Sequence, residues 1–92
     1  MNIVKEATTT KKAETNFAHK LVLLNDEHNT FEHVYNSLME ICGHTLVQAE
    51  QCTMIAHFTG KCVIKEGEES KLKDMVLAFV LRNISVVLSK EK

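Results

Sequence analysis

Leu21-Val22-Leu23-Leu24-Asn25-Asp26-Glu27 is an apolar run that stops abruptly in turn-forming polar residues. A short apolar run closed in this way reads as a buried strand that delivers polar side chains to its own end. Just beyond, Asn29-Thr30 has the character of a helix start, with Asn29 as the expected cap and Glu32 three residues later as its box partner. Read from these residues alone, Asn25 and Asp26 either close a turn or meet a ligand where the strand stops.

Outward from that stretch the elements follow in order. Phe31, Val34, Leu38 and Ile41 recur at helical spacing as one buried stripe, and Gly43 ends that helix. Thr45 with Gln48 repeats the capping pattern and opens a second helix, with Leu46, Ala49, Thr53 and Ala56 along one face and Gly60 as its stop. Lys61 to Glu66 suits a second strand, and Glu68-Glu69 place acids at the start of a third helix. Leu72, Met75, Val76, Phe79 and Val80 form the most continuous helical stripe in the chain, and Asn83 is a plausible stop. Ser85 to Ser89 reads as a last strand. The expected fold is α+β in the order β-α-α-β-α-β: a small three-stranded antiparallel sheet with three helices packed on one face.

Residues 1–18 differ from the rest, with Thr8-Thr9-Thr10, Lys11-Lys12 and few large apolar side chains. They are expected to form a flexible arm ahead of a single domain over 19–92. A net charge of -1 argues against a nucleic-acid footprint or a polybasic membrane patch. No apolar stretch approaches the length of a membrane span and no signal-peptide core is visible, so the expected address is the cytoplasm. Cys42, Cys52 and Cys62 are an odd number without framework spacing, which favours reduced thiols.

Candidate chemistry is sparse. Cys42-Gly43-His44 offers two metal ligands without a matching pair. No nucleophile motif surrounds Cys52 or Ser37, so the residues do not favour an enzyme, and no cofactor is implied. His57, beside Ile55, Ala56 and Phe58 in the last turn of the second helix, is by itself either a half-buried helix-end residue or a ligand-binding group.

Taken together, Lys20-Leu21-Val22-Leu23-Leu24-Asn25-Asp26-Glu27, Phe31-Glu32-His33-Val34 and, thirty-two residues after Asn25, the stretch Ala56-His57-Phe58-Thr59-Gly60-Lys61 resemble the ClpS family. These are non-enzymatic adaptors of Clp proteases that recognise N-degrons, and the resemblance covers roughly His19 to Leu88. It implies that the residues matching Asn25, Asp26 and His57 hold the α-amino group of a protein's free N-terminus. Around them, Glu27, Asn29, Phe31, Val34, Thr53 and Ala56 match the pocket for a bulky hydrophobic first side chain. The implied partners are N-degron proteins and the N-terminal domain of a ClpA- or ClpC-type AAA+ ATPase, with the N-terminal arm serving the hand-off. The alternative is a domain of the same fold that regulates a Clp ATPase without binding N-terminal amines.

The sequence departs from the family at the pocket wall. Glu27 stands where Asp is usual, and Asn29-Thr30 replaces Thr-Pro. Phe31 takes the place of a gating Met, Thr53 that of a pocket Met, and Ala56 that of a Val. Loss of volume at Thr53 and Ala56 predicts a wider cavity suited to large rings.

Overall fold

The structure, a computed structural model, describes residues 19–90, so the expected arm and the last two residues lie outside it. The opening apolar run forms strand β1, His19–Leu24, and becomes the middle of the sheet. Leu21, Val22 and Leu23 are all buried, as a central strand with both neighbours in place requires. It pairs antiparallel with β2, Lys61–Gly67, on one side and with β3, Val86–Lys90, on the other. Leu21 and Leu23 face the helices and join the core, while Val22 lies between Val63 and Val87 on the outer face.

A bulge interrupts the β1–β2 pairing. Leu21 faces Lys65 and Val22 faces Val63, which leaves Ile64 as the extra residue. Ile64 is buried in the core, and Lys65 reaches inward to donate to the Cys42 carbonyl at 3.2 Å.

Helix α1, Phe31–Cys42, starts at Thr30, whose hydroxyl accepts the His33 N–H at 3.0 Å. The cap is therefore Thr30 and not Asn29, whose amide is engaged elsewhere. Val34 and Leu38 are buried as expected, but Phe31 is 41% exposed at the helix mouth. Gly43 closes the helix at φ 76°, a conformation that favours glycine. Helix α2, Leu46–Thr59, carries the full capping box: Gln48 N–H donates to the Thr45 hydroxyl, and Thr45 N–H donates to the Gln48 side chain. It buries only Ala49, Thr53 and Ala56, a stripe of small residues that lets the helix lie close to its neighbours. Leu46 is 47% exposed and falls outside that stripe. Gly60, at φ 100°, ends it with its N–H on the Ala56 carbonyl at 2.9 Å.

Helix α3, Glu69–Leu81, buries Leu72 and Phe79, with Met75 and Val76 packed against the core. Val80 is exposed, so the stripe is narrower than its sequence suggests, and α1 is the more one-sided helix. Asn83 adopts φ 62°, a left-handed conformation that Asn tolerates, and its N–H closes on Val80. Arg82 then ties α3 to α1, donating to Ser37 Oγ at 3.2 Å and pairing with Glu40 at 2.6 Å. Three helices on a three-stranded antiparallel sheet, in the expected order, complete the α+β fold. Among the described residues, no helix is long and apolar enough to cross a membrane.

Candidate functional site

Two backbone hydrogen bonds fix the end of β1. Leu24 N–H donates to the Ser85 carbonyl, and Asn25 N–H donates to the Gly60 carbonyl, each at 3.0 Å. The second bond draws the end of α2 against the end of β1. It explains how Asn25 and His57, far apart in sequence, come to line one space.

The carboxylate of Asp26 is held in place by its own turn and by Ser85. Oδ1 accepts His28 N–H at 2.8 Å, while Oδ2 accepts the Asn29 amide at 3.0 Å and the Ser85 hydroxyl at 3.3 Å. An ionised carboxylate offers roughly four acceptor sites, so about one remains for another donor. The Asn29 amide also donates to the Asn83 carbonyl at 2.8 Å. Asn29 thus joins the β1 turn to the end of α3, which is why it does not cap α1.

His57 is exposed and lies between two aromatic rings. Its ring centroid is 5.1 Å from Phe31 and 4.9 Å from Phe58, both edge to face. Among the described residues its imidazole makes no hydrogen bond, so its ring nitrogens are unspent.

Asn25, Asp26, Asn29 and His57 converge on a cavity whose apolar wall is Leu23, Val34, Ala56 and Ile84, with Phe31 and Thr53. Eight of the nine site residues expected from sequence therefore meet at one place. The ninth, Glu27, stands on the exposed turn and does not line it. Leu23 and Ile84 are lining residues that the sequence reading did not single out. Ile84, a lone apolar residue between Asn83 and Ser85, was the available signal. Thr53 spends its hydroxyl on the Ala49 carbonyl at 2.8 Å, so it adds no free polar group to the wall.

The expectation of a wide cavity is not met. Its volume is about 30 Å³, room for roughly one water. Helices carrying small residues pack closer until the space is filled, and interiors hold few voids. Phe31 narrows its mouth further by resting its ring against His57.

The thiols lie apart from this cavity. Burial pushes the Cys42 thiol up to about 11, partly offset by Lys65. Burial likewise raises Cys62 to about 11, with a hydrogen bond to Cys52 adding to the effect. Neither is a thiolate at neutral pH, which deprives both of nucleophilic character. All three cysteines are free. Among the described residues, no three His, Cys, Asp or Glu side chains group as a metal site requires.

Residues 8–80 match the sequence model of the family described as ATP-dependent Clp protease adaptor protein ClpS. A Synechocystis relative, named ATP-dependent Clp protease adapter protein ClpS, is 35% identical over 65 residues. That stretch is 70% of this chain and 64% of the relative's length. Among solved structures, Agrobacterium tumefaciens ClpS2 bound to L-phenylalaninamide matches with a TM-score of 0.69. The match covers 79% of this chain and 95% of that one at 22% identity, a likeness of fold.

Proposed function

The chain belongs to the ClpS family of ATP-dependent Clp protease adaptors, and on that premise we propose that it binds the free α-amino group and bulky hydrophobic first residue of N-degron proteins. It then delivers them to the N-terminal domain of a Clp AAA+ ATPase for degradation. The observation that carries this reading is the convergence of Asn25, Asp26 and His57 on one small cavity with an apolar wall. An ammonium has three donors, and the three side chains offer an amide oxygen, the remaining acceptor site of a carboxylate and an imidazole nitrogen. Phenylalaninamide, the ligand of the Agrobacterium protein, presents this chemistry: a free α-amine next to a benzyl side chain.

Each residue has a distinct task. Asp26 supplies the negative charge, and Asn29 and Ser85 hold that carboxylate in one orientation. Asn25 and His57 complete the amine cage from the strand end and the last turn of α2. Leu23, Val34, Thr53, Ala56 and Ile84 receive the first side chain. Phe31 swings out to admit it, since a cavity of about 30 Å³ has no room for a ring. An edge-to-face aromatic contact is worth about 0.5–1.5 kcal/mol, so a ligand ring entering the same place readily compensates its loss. Residues 1–18 serve delivery to the ATPase and take no part in the cage.

A panel of otherwise identical peptides beginning with Phe, Trp, Leu, Ser or Glu tests the reading by fluorescence anisotropy. Phe, Trp and Leu peptides are expected to bind, and Ser and Glu peptides to fail. Equal binding across the panel would refute recognition of the first side chain.

A further inference from the structure

Two thiols meet beneath α2, outside the cavity. Cys52 follows Ala49 by three residues and precedes Ala56 by four, so it shares the face that these buried alanines press onto the sheet. Cys62 is the second residue of β2 and pairs with Leu23, whose side chain faces the helices. Paired residues of antiparallel strands project to one side, so Cys62 faces the helices too. Gly60 turns α2 straight into β2, which sets Cys62 under that helix. Both cysteines pack against the core, both are half-buried and both are free. Their thiols are close enough to act on each other.

We propose that Cys52 and Cys62 are a modification site, a dithiol that oxidised glutathione or a similar small disulfide closes to an intrachain crosslink, and that the crosslink weakens binding in the adjoining cavity. The effect on binding rests on the amine-binding reading above; the crosslink does not. The Cys52 thiolate attacks one sulfur of oxidised glutathione, whose S–S bond breaks, and the first glutathione leaves as thiolate. Cys62 then gives its proton to solvent and attacks the Cys52 sulfur, forming the crosslink and expelling the second glutathione thiolate. The protein loses two electrons and two protons, and the glutathione pair gains them. Burial first, and then Cys52, pushes the Cys62 thiol up to about 11, so Cys52 opens the reaction. The second attack is intramolecular, and proximity offsets the small thiolate fraction of Cys62. Helix α2 gives the cavity Thr53, Ala56 and His57, all within five residues of Cys52. A crosslink to β2 holds that helix on the sheet and restrains the widening that a ring in a space of about 30 Å³ requires.

The full chain, incubated with reduced or oxidised glutathione, is alkylated under denaturing conditions and mapped by mass spectrometry after trypsin. Cleavage at Lys61 separates Cys62 from the other two thiols, and fragmentation tells Cys52 from Cys42. A Cys52–Cys62 crosslink with Cys42 alkylated is expected. Glutathione adducts alone, or a crosslink to Cys42, overturn the site. Anisotropy with a Phe-starting peptide then compares the reduced and oxidised chains. Oxidation should weaken binding about fivefold, the low end of coupling between sites, and dithiothreitol should restore it. Cys52→Ser, which lacks the first nucleophile, should bind alike in both buffers. Equal affinity of the crosslinked and reduced wild type, or an equal loss in Cys52→Ser, overturns the control of binding while leaving amine recognition intact. If the reduced chain binds the free-amine peptide no better than its acetylated twin, the amine reading fails. Control of binding falls with it, and the mapping alone decides the crosslink.

Discussion

Phe31 and His57 meet edge to face, their ring centroids 5.1 Å apart and their planes at 70°. One opens α1 and the other lies in the last turn of α2, so the contact bridges the cavity mouth. Access and the proposed recognition therefore share a residue: the imidazole proposed to receive an amine also holds the ring that narrows the way in.

Removing that ring should make entry faster. In Phe31→Ala, association of a Phe-starting peptide is expected to rise about fivefold, the equivalent of losing one aromatic contact before binding. Dissociation should rise as well, because the bound side chain loses a wall. Stopped-flow fluorescence separates the two rates, and an unchanged association rate would show that Phe31 does not gate the cavity.

On the proposed reading, Asn29 supports ligand binding chiefly by holding Asp26. Its amide joins the Asp26 carboxylate to the Asn83 carbonyl, so Asn29→Ala loosens the carboxylate while leaving the rest of the cage in place. Loss of one such hydrogen bond is expected to weaken peptide binding by about 1 kcal/mol, roughly fivefold. Titration calorimetry is the check. Wild-type affinity in this variant would mean that the carboxylate needs no support.

How much of this was legible in the sequence depends on whether the signal was local. Gly43, Gly60 and the Thr45–Gln48 box act within a few residues, and each ended or began a helix where the pattern placed it. Asn29 misled because its partner Asn83 lies fifty-four residues away, and local capping rules cannot see such competition. The bulge at Ile64 was hidden for a similar reason, since Ile64 and Lys65 both turn inward only in the register that β1 imposes. Phe31 fitted the helical stripe by spacing, yet it sits at an end where the neighbouring element is His57 and not the core. The small volumes of Thr53 and Ala56 were read as space, whereas packing turned them into close approach.

The cavity size makes a prediction about Thr53. Restoring a longer side chain in Thr53→Met would fill the space that a first side chain must enter. Affinity for a Trp-starting peptide should fall about tenfold, with a Leu-starting peptide less affected, because overpacking penalises the larger group more. Matched anisotropy titrations decide it, and an identical ranking in both proteins would place the first side chain somewhere else.

The thiols predict the alkaline limit of the fold. Cys42 and Cys62 are raised from 9.0 to about 11 in the folded chain, chiefly by burial. The unfolded chain therefore releases these protons first as pH rises. Their contribution to stability is full below pH 9 and is lost as pH climbs through about 11. Thermal unfolding of wild type and of Cys42→Ala/Cys62→Ala across that range should show a shallower loss in the double variant. Parallel curves would mean that the two thiols do not govern the alkaline transition.

The most direct measurement is the affinity of one Phe-starting peptide with its α-amine free and with it acetylated, on wild type and on His57→Ala. Acetylation removes the charge and donors that Asn25, Asp26 and His57 are proposed to hold. On wild type it should weaken binding by about 2–5 kcal/mol, the range for losing one side of a desolvated charged contact. On His57→Ala the free peptide should already bind poorly, so acetylation should cost much less there. Equal affinity of the free and acetylated peptides on the wild-type protein would contradict the account.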